Sequence, residues 1–523
     1  MQSRLASVAR LRKTVSPSAL NLRLRSSATA ALVALVPMAS QAQDGASARG
    51  LSITPLLSLG QSFTDNRDLR SVGKEWDAVT LISPGVRVVS RTGRVQGTLD
   101  YSLAAQVHAQ GGVGTEVQNS LSAAFSAEAI ENRAFVDVRA SIAQQSISAF
   151  GVQAVQGSSP VANRTEVATV SVSPFIRGNI AGVADVEARA SHSITHSRSN
   201  ESPDSTASSV SLRASGRVGA IGWSADASEQ TSDYDRGRRT TTGRLGGGLN
   251  FSPHPEVRMS ARLGRENNDV LSSQRAQSTT WGVSLDWTPT ERTQVLTQLD
   301  HRYFGNSHSI TFQHRFPRSI WRFTDSRDAT NGAAGTSGQS GFTVYDLVFA
   351  QFASLEPDPT RRDVLVRNYL AFNGFNANAG LGGGFLSSAV SLLSRQDVSV
   401  SLQGLRTTVL LSAFRTETRR LDQLVTGVSD DLTRTNLVRQ MGYNMSVGYR
   451  LTPTASANLS LVRLKTLNSG LLTGNDQRTF NASFSDQLSL RTFLSLSLRH
   501  VSFDSATQPY TENGISATLS LRF

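Results

Sequence analysis

The chain ends in ISATLSLRF, residues 515–523, and this stretch shows the residue pattern on which the fold depends. Every second residue, counted back from the last one, is apolar, and the residues between them are polar. Successive side chains of a β-strand point to opposite faces, so this spacing predicts a strand with one apolar and one polar face. The apolar positions are Phe523, Leu521, Leu519, Ala517 and Ile515, and the polar positions are Arg522, Ser520, Thr518 and Ser516.

The same alternation recurs over almost the whole chain, for example in residues 95–107, 281–287 and 441–451. The alternating segments are about 9–12 residues long, which suits a tilted strand that crosses a bilayer better than a strand of the usual five or six residues. In hydrocarbon every backbone N–H and C=O needs a partner, and only a closed barrel gives strands such partners throughout. The sequence therefore predicts an all-β protein, a transmembrane antiparallel outer-membrane β-barrel of about 22 strands, with both ends of the barrel chain on the periplasmic side.

The links between the segments alternate between tight turns and longer polar loops, as in residues 91–94 and 65–74. Short periplasmic turns and long outer loops are typical of outer-membrane barrels. A soluble β-sandwich also alternates, but its two-sided core would not restrict aromatic residues to one end of the strands. Here the aromatic residues at short turns or at the chain end are Phe251, Trp287, Phe316, Tyr449 and Phe523.

Residues 1–42 have the order of a secretory signal peptide: a basic leader without acids, an apolar run and small residues before a cleavage site after Ala42. Residues 43–523 then form the barrel. The chain contains no cysteine, which excludes disulfides and a cysteine nucleophile. Its 52 Lys and Arg exceed its 40 Asp and Glu, but they are scattered rather than clustered, which argues against nucleic acid as a partner.

Between residues 327 and 396 the alternation lapses, and glycine-rich stretches enclose two helix-like segments. Thr343 can cap the first segment, while Asp358 and Pro359 form a cap and a first-turn proline for the second. Strand parity places this helical insertion on the outer side of a barrel wide enough to enclose an aqueous lumen. Two interpretations stay open: the insertion folds inward and constricts the lumen, or it forms a helical hairpin on the outer surface.

Charged residues on the polar strand faces are predicted to point into the lumen. Arginine binds carboxylates through two parallel hydrogen bonds, so these side chains would suit an anionic polysaccharide. Pairing of these charges with one another across neighbouring strands is the preferred alternative. The predicted lumen-facing residues are Asp100, Arg139, Arg189, Arg258, Arg262, Asp286, Asp300, Arg302, Arg315, Arg450 and Arg499.

No motif indicates catalysis, a cofactor or a metal. Among the eight histidines only His192 and His196, four residues apart, have a spacing that metal ligands use. On a strand they lie too far apart to share one ion easily. A barrel enzyme would need an acid, a histidine and a nucleophile at one rim, and no nucleophile motif is present. The protein is not expected to be an enzyme.

Residues 53–69, 82–101 and 345–375 resemble the outer-membrane proteins associated with PEP-CTERM/exosortase systems. The resemblance implies a barrel in the outer membrane of a Gram-negative bacterium that makes exopolysaccharide and sorts PEP-CTERM proteins. It implies no catalytic residues. The expected function is a porin-like pore or an assembly component linked to exopolysaccharide or surface-protein export. A general diffusion porin and a non-conducting structural or docking barrel remain alternatives. A receptor with a plug domain is not expected, since only residues 43–50 precede the first strand.

The terminal Phe523 resembles the C-terminal signal that the outer-membrane barrel assembly machinery reads on its substrates. A free strand end can be captured by strand addition to another barrel's edge before the barrel closes. The expected partners are therefore outer-membrane lipid, the assembly machinery, and polysaccharide or export-system proteins.

Overall fold

The alternating segments form the strands of one closed antiparallel sheet in the computed structural model. The structure describes residues 50–110, 115–152, 163–180, 182–199, 203–331, 384–422 and 429–523, together with residues 345, 349, 362, 363, 366 and 424. In chain order the elements are β1 Leu51–Thr64, β2 Asp77–Arg91, β3 Val95–His108, β4 Glu116–Ile130, β5 Ala134–Ser146, β6 Arg164–Ile180, β7 Ala184–Ser197, β8 Ser205–Val218, β9 Ile221–Tyr234, β10 Thr240–His254, β11 Val257–Asn268, β12 Ala276–Thr290, β13 Thr293–Arg302, β14 Gly305–Phe316, β15 Ser319–Asn331, β16 Val390–Gln403, β17 Thr407–Arg420, α1 Asp431–Thr435, β18 Leu437–Arg450, β19 Ala455–Thr466, β20 Asn475–Ser489, β21 Thr492–Ser505 and β22 Tyr510–Arg522.

Each strand pairs with the next one along the chain, and the last strand returns to the first. In the closing pair, Leu57 lies opposite Leu521 and Thr64 lies opposite Gly514. Because the sheet closes, every strand has a neighbour on both sides, and its backbone groups can be paired as the bilayer interior requires. The predicted fold class, an antiparallel barrel of 22 strands, is confirmed.

The two faces of the barrel wall differ sharply in polarity. On β11, Leu263 is 70% exposed, whereas Glu266 on the opposite face is fully buried. Exposed apolar surface is unfavourable in water at about 25 cal/mol per Å² but favourable against lipid chains. The face that carries the exposed large apolar residues is therefore the lipid face, and the polar face lines the lumen.

The two ends of the barrel differ in their connections. The described ends of the strands leave two to four residues for each link at the periplasmic end, and Gly219 makes one such turn with a φ of +61°. A positive φ strains residues that carry a Cβ, which explains a glycine there. At the other, outer end, the links between strands have five or more residues except two, the two-residue link between β13 and β14 and the four-residue link between β21 and β22.

The helical insertion is shorter than the predicted range 327–396. Residues 327–331 belong to β15 and residues 390–396 belong to β16, and these parts of the two strands pair with each other. Polar residues on both faces of this strand pair hide the alternation there, which explains the wrong boundaries. Within the insertion, Tyr345, Phe349, Arg362, Asp363 and Val366 are helical.

The predicted signal peptide, residues 1–42, lies outside the described residues. The part of the chain that the structure describes contains no helix of the length and apolar character needed to span a bilayer.

Candidate functional site

Six of the eleven predicted lumen residues form ion pairs with charges on nearby strands. These pairs neutralise one another on the polar face, so they leave less charge available to a ligand than the sequence alone suggests. The pairs that involve them are Asp100–Arg87 at 3.5 Å, Arg189–Asp137 at 2.7 Å, Arg262–Asp300 at 2.9 Å, Arg302–Glu266 at 2.6 Å and Arg499–Glu512 at 2.7 Å.

The other five predicted residues lie on the same polar strand faces but outside such pairs, as far as the described residues show. Arg315 donates a hydrogen bond to the backbone of Glu291 at the periplasmic turn, at 3.3 Å. Asp286 has one buried carboxylate oxygen without a partner. The structure therefore does not bring the eleven residues together into one site. The remaining three are Arg139, Arg258 and Arg450.

A four-residue charge network lies on the lumen face of β10, β11, β13 and β15. Arg302 donates to Glu266 Oε1 at 2.6 Å and to Asp328 Oδ1 at 2.7 Å. Arg244 donates to the same oxygen of Glu266 at 3.4 Å. Glu266 is fully buried, so removal of its arginine partners would leave an uncompensated buried charge. The network carries two positive and two negative charges.

A glycine on β12 leaves space for an ion pair between side chains on the two strands that flank it, β11 and β13. Arg262 on β11 reaches Asp300 on β13 across Gly282 of β12. A Cβ at Gly282 would lie 1.9 Å from Asp300 Oδ1, closer than atoms can approach. With a side chain at Gly282, Asp300 would have to leave the position in which it pairs with Arg262.

A cavity of about 670 Å³ adjoins the charge network. Its lining contains nine serines and threonines, one glutamine, Tyr234 and Tyr303, besides the four charged residues of the network. Small-molecule sites have volumes of roughly 300–1,000 Å³, so this cavity has the size of a binding site. Its lining offers hydrogen-bond donors and acceptors in almost every direction.

A stack of aromatic and arginine side chains lies on the lumen face near the periplasmic ends of β5–β7. The rings of Phe135 and Phe175 stack with their centroids 5.0 Å apart. The guanidinium of Arg177 lies 4.3 Å from the centroid of Phe135, and that of Arg189 lies 3.9 Å from the centroid of Phe175. Such cation–π contacts and the ion pair to Asp137 hold Arg189 in place.

Three outer segments meet inside the barrel and form a small core. Residues 148–150 follow β5, residues 385–389 precede β16, and residues 430–432 lie at the start of α1. Ala149, Phe385, Leu432 and Val438 pack together and are each at most 2% exposed. The segment after β5 thus crosses to strands about half-way round the barrel. We call these three segments the outer clasp.

Two adjacent aspartates hold the outer clasp together. Asp431 accepts hydrogen bonds from the Ser148 hydroxyl at 2.8 Å and from the Ala149 amide at 2.7 Å. Asp430 accepts one from the Ser388 amide at 2.8 Å and also caps the N-terminus of α1. Burial raises the pKa of Asp431 above its usual range, although the hydrogen bonds that it accepts oppose this shift.

The far end of the clasp is fixed to the opposite wall. The carbonyl oxygen of Ala149 accepts hydrogen bonds from the Thr466 hydroxyl at 2.9 Å and from the Asn475 side-chain amide at 3.0 Å. These partners lie at the outer ends of β19 and β20. Leu386, in the segment before β16, packs instead against Val167 of β6. Part of the outer lumen is therefore filled by chain from two sides.

Glu266 of the charge network and the two aspartates of the outer clasp are not predicted from the sequence. Glu266 has a local signal, since it follows Arg262 by four residues on the same strand face. Asp430 and Asp431 have none, because Asp431 meets Ser148 across 283 residues of sequence. Asp328 lies in the range that had been assigned to the helical insertion.

Phe523 lies at the periplasmic end of the closing strand pair. Its amide donates to the carbonyl of Pro55 on β1 at 3.1 Å, and the residue is 53% exposed. The contact with β1 places the chain end next to the first strand.

The two histidines that lie four residues apart in the sequence contact separate partners. His192 hydrogen-bonds Ser208 at 2.9 Å, and His196 hydrogen-bonds Asp204 at 2.7 Å. Within the described ranges, no three His, Asp or Glu side chains are grouped so that they could hold a metal ion.

The closed sheet with an apolar outer face determines where the protein lies. It is an outer-membrane β-barrel. No family model matches the chain, and no curated protein sequence does. The FrpB iron transporter from Neisseria meningitidis is similar in structure, with 9% identity, a TM-score of 0.49, and coverage of 91% of this chain and 83% of that one.

Two siderophore receptors are also similar in structure. PirA from Pseudomonas aeruginosa has 9% identity and a TM-score of 0.42, and covers 90% of this chain and 80% of its own. PirA from Acinetobacter baumannii has 8% identity and a TM-score of 0.44, with the same coverage. Likeness at this level says nothing about what this chain binds.

Proposed function

We propose that this barrel is a gated channel for polar solutes across the outer membrane. The observation that carries the proposal is the outer clasp, in which segments from opposite sides of the barrel meet and are buried inside it. Together with the polar cavity, the clasp makes the interior a passage that is closed in part rather than a uniform open pore.

The wall and the clasp are held together by contacts of unequal strength. Adjacent strands of the wall are joined by continuous ladders of backbone hydrogen bonds. The described contacts of Asp430 and Asp431 with the other clasp segments are only a few side-chain hydrogen bonds. Local opening draws on the least stable parts of a protein, so the clasp can open while the wall stays intact.

The two alternative functions fit this arrangement less well. A general diffusion porin depends on a water-filled lumen, which chain buried in the outer lumen narrows. A purely structural or docking barrel has no need of a cavity lined by hydroxyl groups and charges. The clasp and the cavity together therefore favour a controlled passage.

We further propose that the passage serves exopolysaccharide or PEP-CTERM surface-protein export. This finer proposal rests on the resemblance of residues 53–69, 82–101 and 345–375 to that family. Deletion of the gene should reduce secreted polysaccharide or surface display of PEP-CTERM proteins, and normal levels of both in the deletion strain would contradict it.

Single-channel recording in planar bilayers tests the gated-channel proposal. The double variant Asp430→Ala/Asp431→Ala removes both carboxylates of the clasp and should raise conductance or open time. A matched control is Asp204→Ala, because Asp204 accepts from Ser197 and His196 within one outer loop and does not join opposite walls. Heat-modifiable gel mobility would verify that each variant is folded.

The outcomes separate the functions. Raised conductance in the double variant alone supports gating. A wild-type protein that conducts freely, with no change in the double variant, would indicate a general diffusion porin. Folded protein that never conducts, in either form, would indicate a docking barrel.

A further inference from the structure

The hairpin formed by β13 and β14 extends less far beyond the membrane than the neighbouring strand β12, so the outer rim of the barrel is low at this hairpin. β13 has 10 residues, the fewest of the described strands, and its link to β14 has two. Gly305, the first residue of β14, follows the link and has a φ of +101°, which favours glycine. The neighbouring β12 has 15 residues, and its outermost residues, 276–280, extend beyond the last pair with β13, Trp281 and His301.

This low hairpin ends at the outer surface of the membrane. A strand needs about 9–11 residues to cross a bilayer, and β13 provides only 10. Its tip carries Tyr303 and Phe304, whose rings meet edge to face at 5.0 Å. Next to the tip, Trp281 on the lipid face is 49% exposed and stacks on His301, and outward-facing aromatic residues are typical of the interface between lipid and water. The rim beside this tip therefore lies at the level of the lipid head groups.

The cavity lies directly behind this low rim. Its lining includes Arg302 and Tyr303 at the hairpin tip, and Ser326, Asp328 and Thr330 on the next strand. A ligand at head-group level thus has a short path into the cavity over the hairpin.

The lining selects the chemistry of the ligand. The charges cancel, with two arginines and two carboxylates already joined in one network. An added anion would meet Glu266 and Asp328, and an added cation would meet the arginines. An apolar ligand would deprive the nine serine and threonine hydroxyls of water without replacing their hydrogen bonds, which is costly. A neutral molecule rich in hydroxyl groups both donates and accepts, so it satisfies such a lining.

We propose that the cavity binds a neutral oligosaccharide, either free in solution or as the head group of a lipid in the outer leaflet. This inference deepens the proposed channel function by naming the ligand class of its interior. It also differs from the anionic polysaccharide that the scattered arginines suggested, because the arginines at this cavity are paired.

Calorimetric titration of the folded, full-length barrel in detergent tests the site with maltohexaose as a neutral probe and oligogalacturonate as an anionic one. Maltohexaose should bind saturably and more tightly than oligogalacturonate. Ser228→Trp fills the cavity from β9 and should abolish binding. Ser122→Trp places the same bulk on the lumen face of β4, away from the cavity, and should leave binding unchanged. Tyr303→Ala provides a second cavity variant should Ser228→Trp not fold.

A charge variant tests the reason for selectivity. Asp328→Asn removes a carboxylate whose side chain is 60% exposed, so the fold should tolerate it. The cavity then carries a net positive charge, and the preference should shift from maltohexaose towards oligogalacturonate. An unchanged preference, tighter binding of the anionic probe by the wild type, or full binding by both cavity variants would overturn the proposal.

Nanodiscs distinguish the two sources of the ligand. If digalactosyldiacylglycerol in the disc competes with maltohexaose, the site takes a lipid head group, and without competition it takes free sugar. No saturable binding in detergent or discs would overturn the site. Because these measurements need no conductance, a barrel that binds but does not conduct contradicts the channel alone, and one that conducts without binding contradicts the site alone.

Discussion

At the periplasmic end, strands are joined by links of two to four residues, and their contacts are local, as where the Arg133 amide donates to Ile130. At the outer end, residues 283 positions apart meet inside the barrel, as Ser148 and Asp431 do. The structure of the periplasmic end is determined by short turns, whereas the structure of the outer end is determined by tertiary contacts. The contacts that arrange the outer end can therefore be removed by mutation without touching the hydrogen-bond ladders of the wall.

The strongest test of this comparison is on the wall that both ends share. Met445→Arg would put a charge on the lipid face, about half-way along the membrane-spanning part of β18, where Met445 is 43% exposed. It should lower the free energy of unfolding by about 2–4 kcal/mol, because an arginine at the bilayer midplane loses its hydration. Equilibrium unfolding in lipid vesicles measures the change.

The neighbouring residue provides the control. Asn444→Arg adds the same charge on the lumen face and should change stability little. Equal loss at both positions would mean that the two faces of the wall have been assigned wrongly.

A smaller effect is expected at the periplasmic end, in assembly rather than in final stability. Phe523→Ser should slow insertion, because a flexible terminal aromatic beside an unpaired strand would no longer be available for capture by another barrel's edge. Pulse-chase labelling with heat-modifiable gel mobility would follow the folded fraction over time. Leu471→Ser, at a fully exposed position in the link between β19 and β20, is the matched control. Insertion of the Phe523 variant at the wild-type rate would reduce this residue to an interfacial aromatic.

The smallest effect concerns pH and the outer end alone. Burial raises the pKa of Asp431, so its neutral form is favoured when the clasp is closed. The contribution of Asp431 to the stability of the closed clasp is therefore complete below the ordinary pKa of a carboxyl group, and it is lost as pH rises through the raised pKa. Asp430, which raises the pKa further, and Arg434, which lowers it, also face this group.

Channel open time should therefore fall as the solution on the outer side is acidified. Asp431→Asn should remove most of this dependence, while Asp204→Asn should keep it. A pH profile that is identical in the wild type and in Asp431→Asn would show that another group titrates.

The wall was predictable from the sequence, because its information is local. The alternation in residues 515–523 predicts which side of the strand faces lipid, and residues 515–522 lie in β22, where the apolar Ile515 is 59% exposed. The lapse near Arg327 and Asp328 misled the boundary of the insertion, since polar residues occupy both faces of a strand where it rises above the membrane. The clasp was not predictable. Asp431 finds its partners through closure of the whole barrel, and no spacing in the sequence records that closure.

The low hairpin also determines how deeply the barrel can sink into the bilayer. On the side towards β13, the described residues 276–280 of β12 have no strand partner. Unpaired backbone groups cost several kcal/mol each in hydrocarbon, so this edge must remain in water. The membrane surface cannot rise past the hairpin tip at Tyr303 and Phe304, and a thicker bilayer would have to thin beside β13 and β14 while it could stay at full height elsewhere. The outer leaflet would then be thinner on this one side of the barrel than on the others.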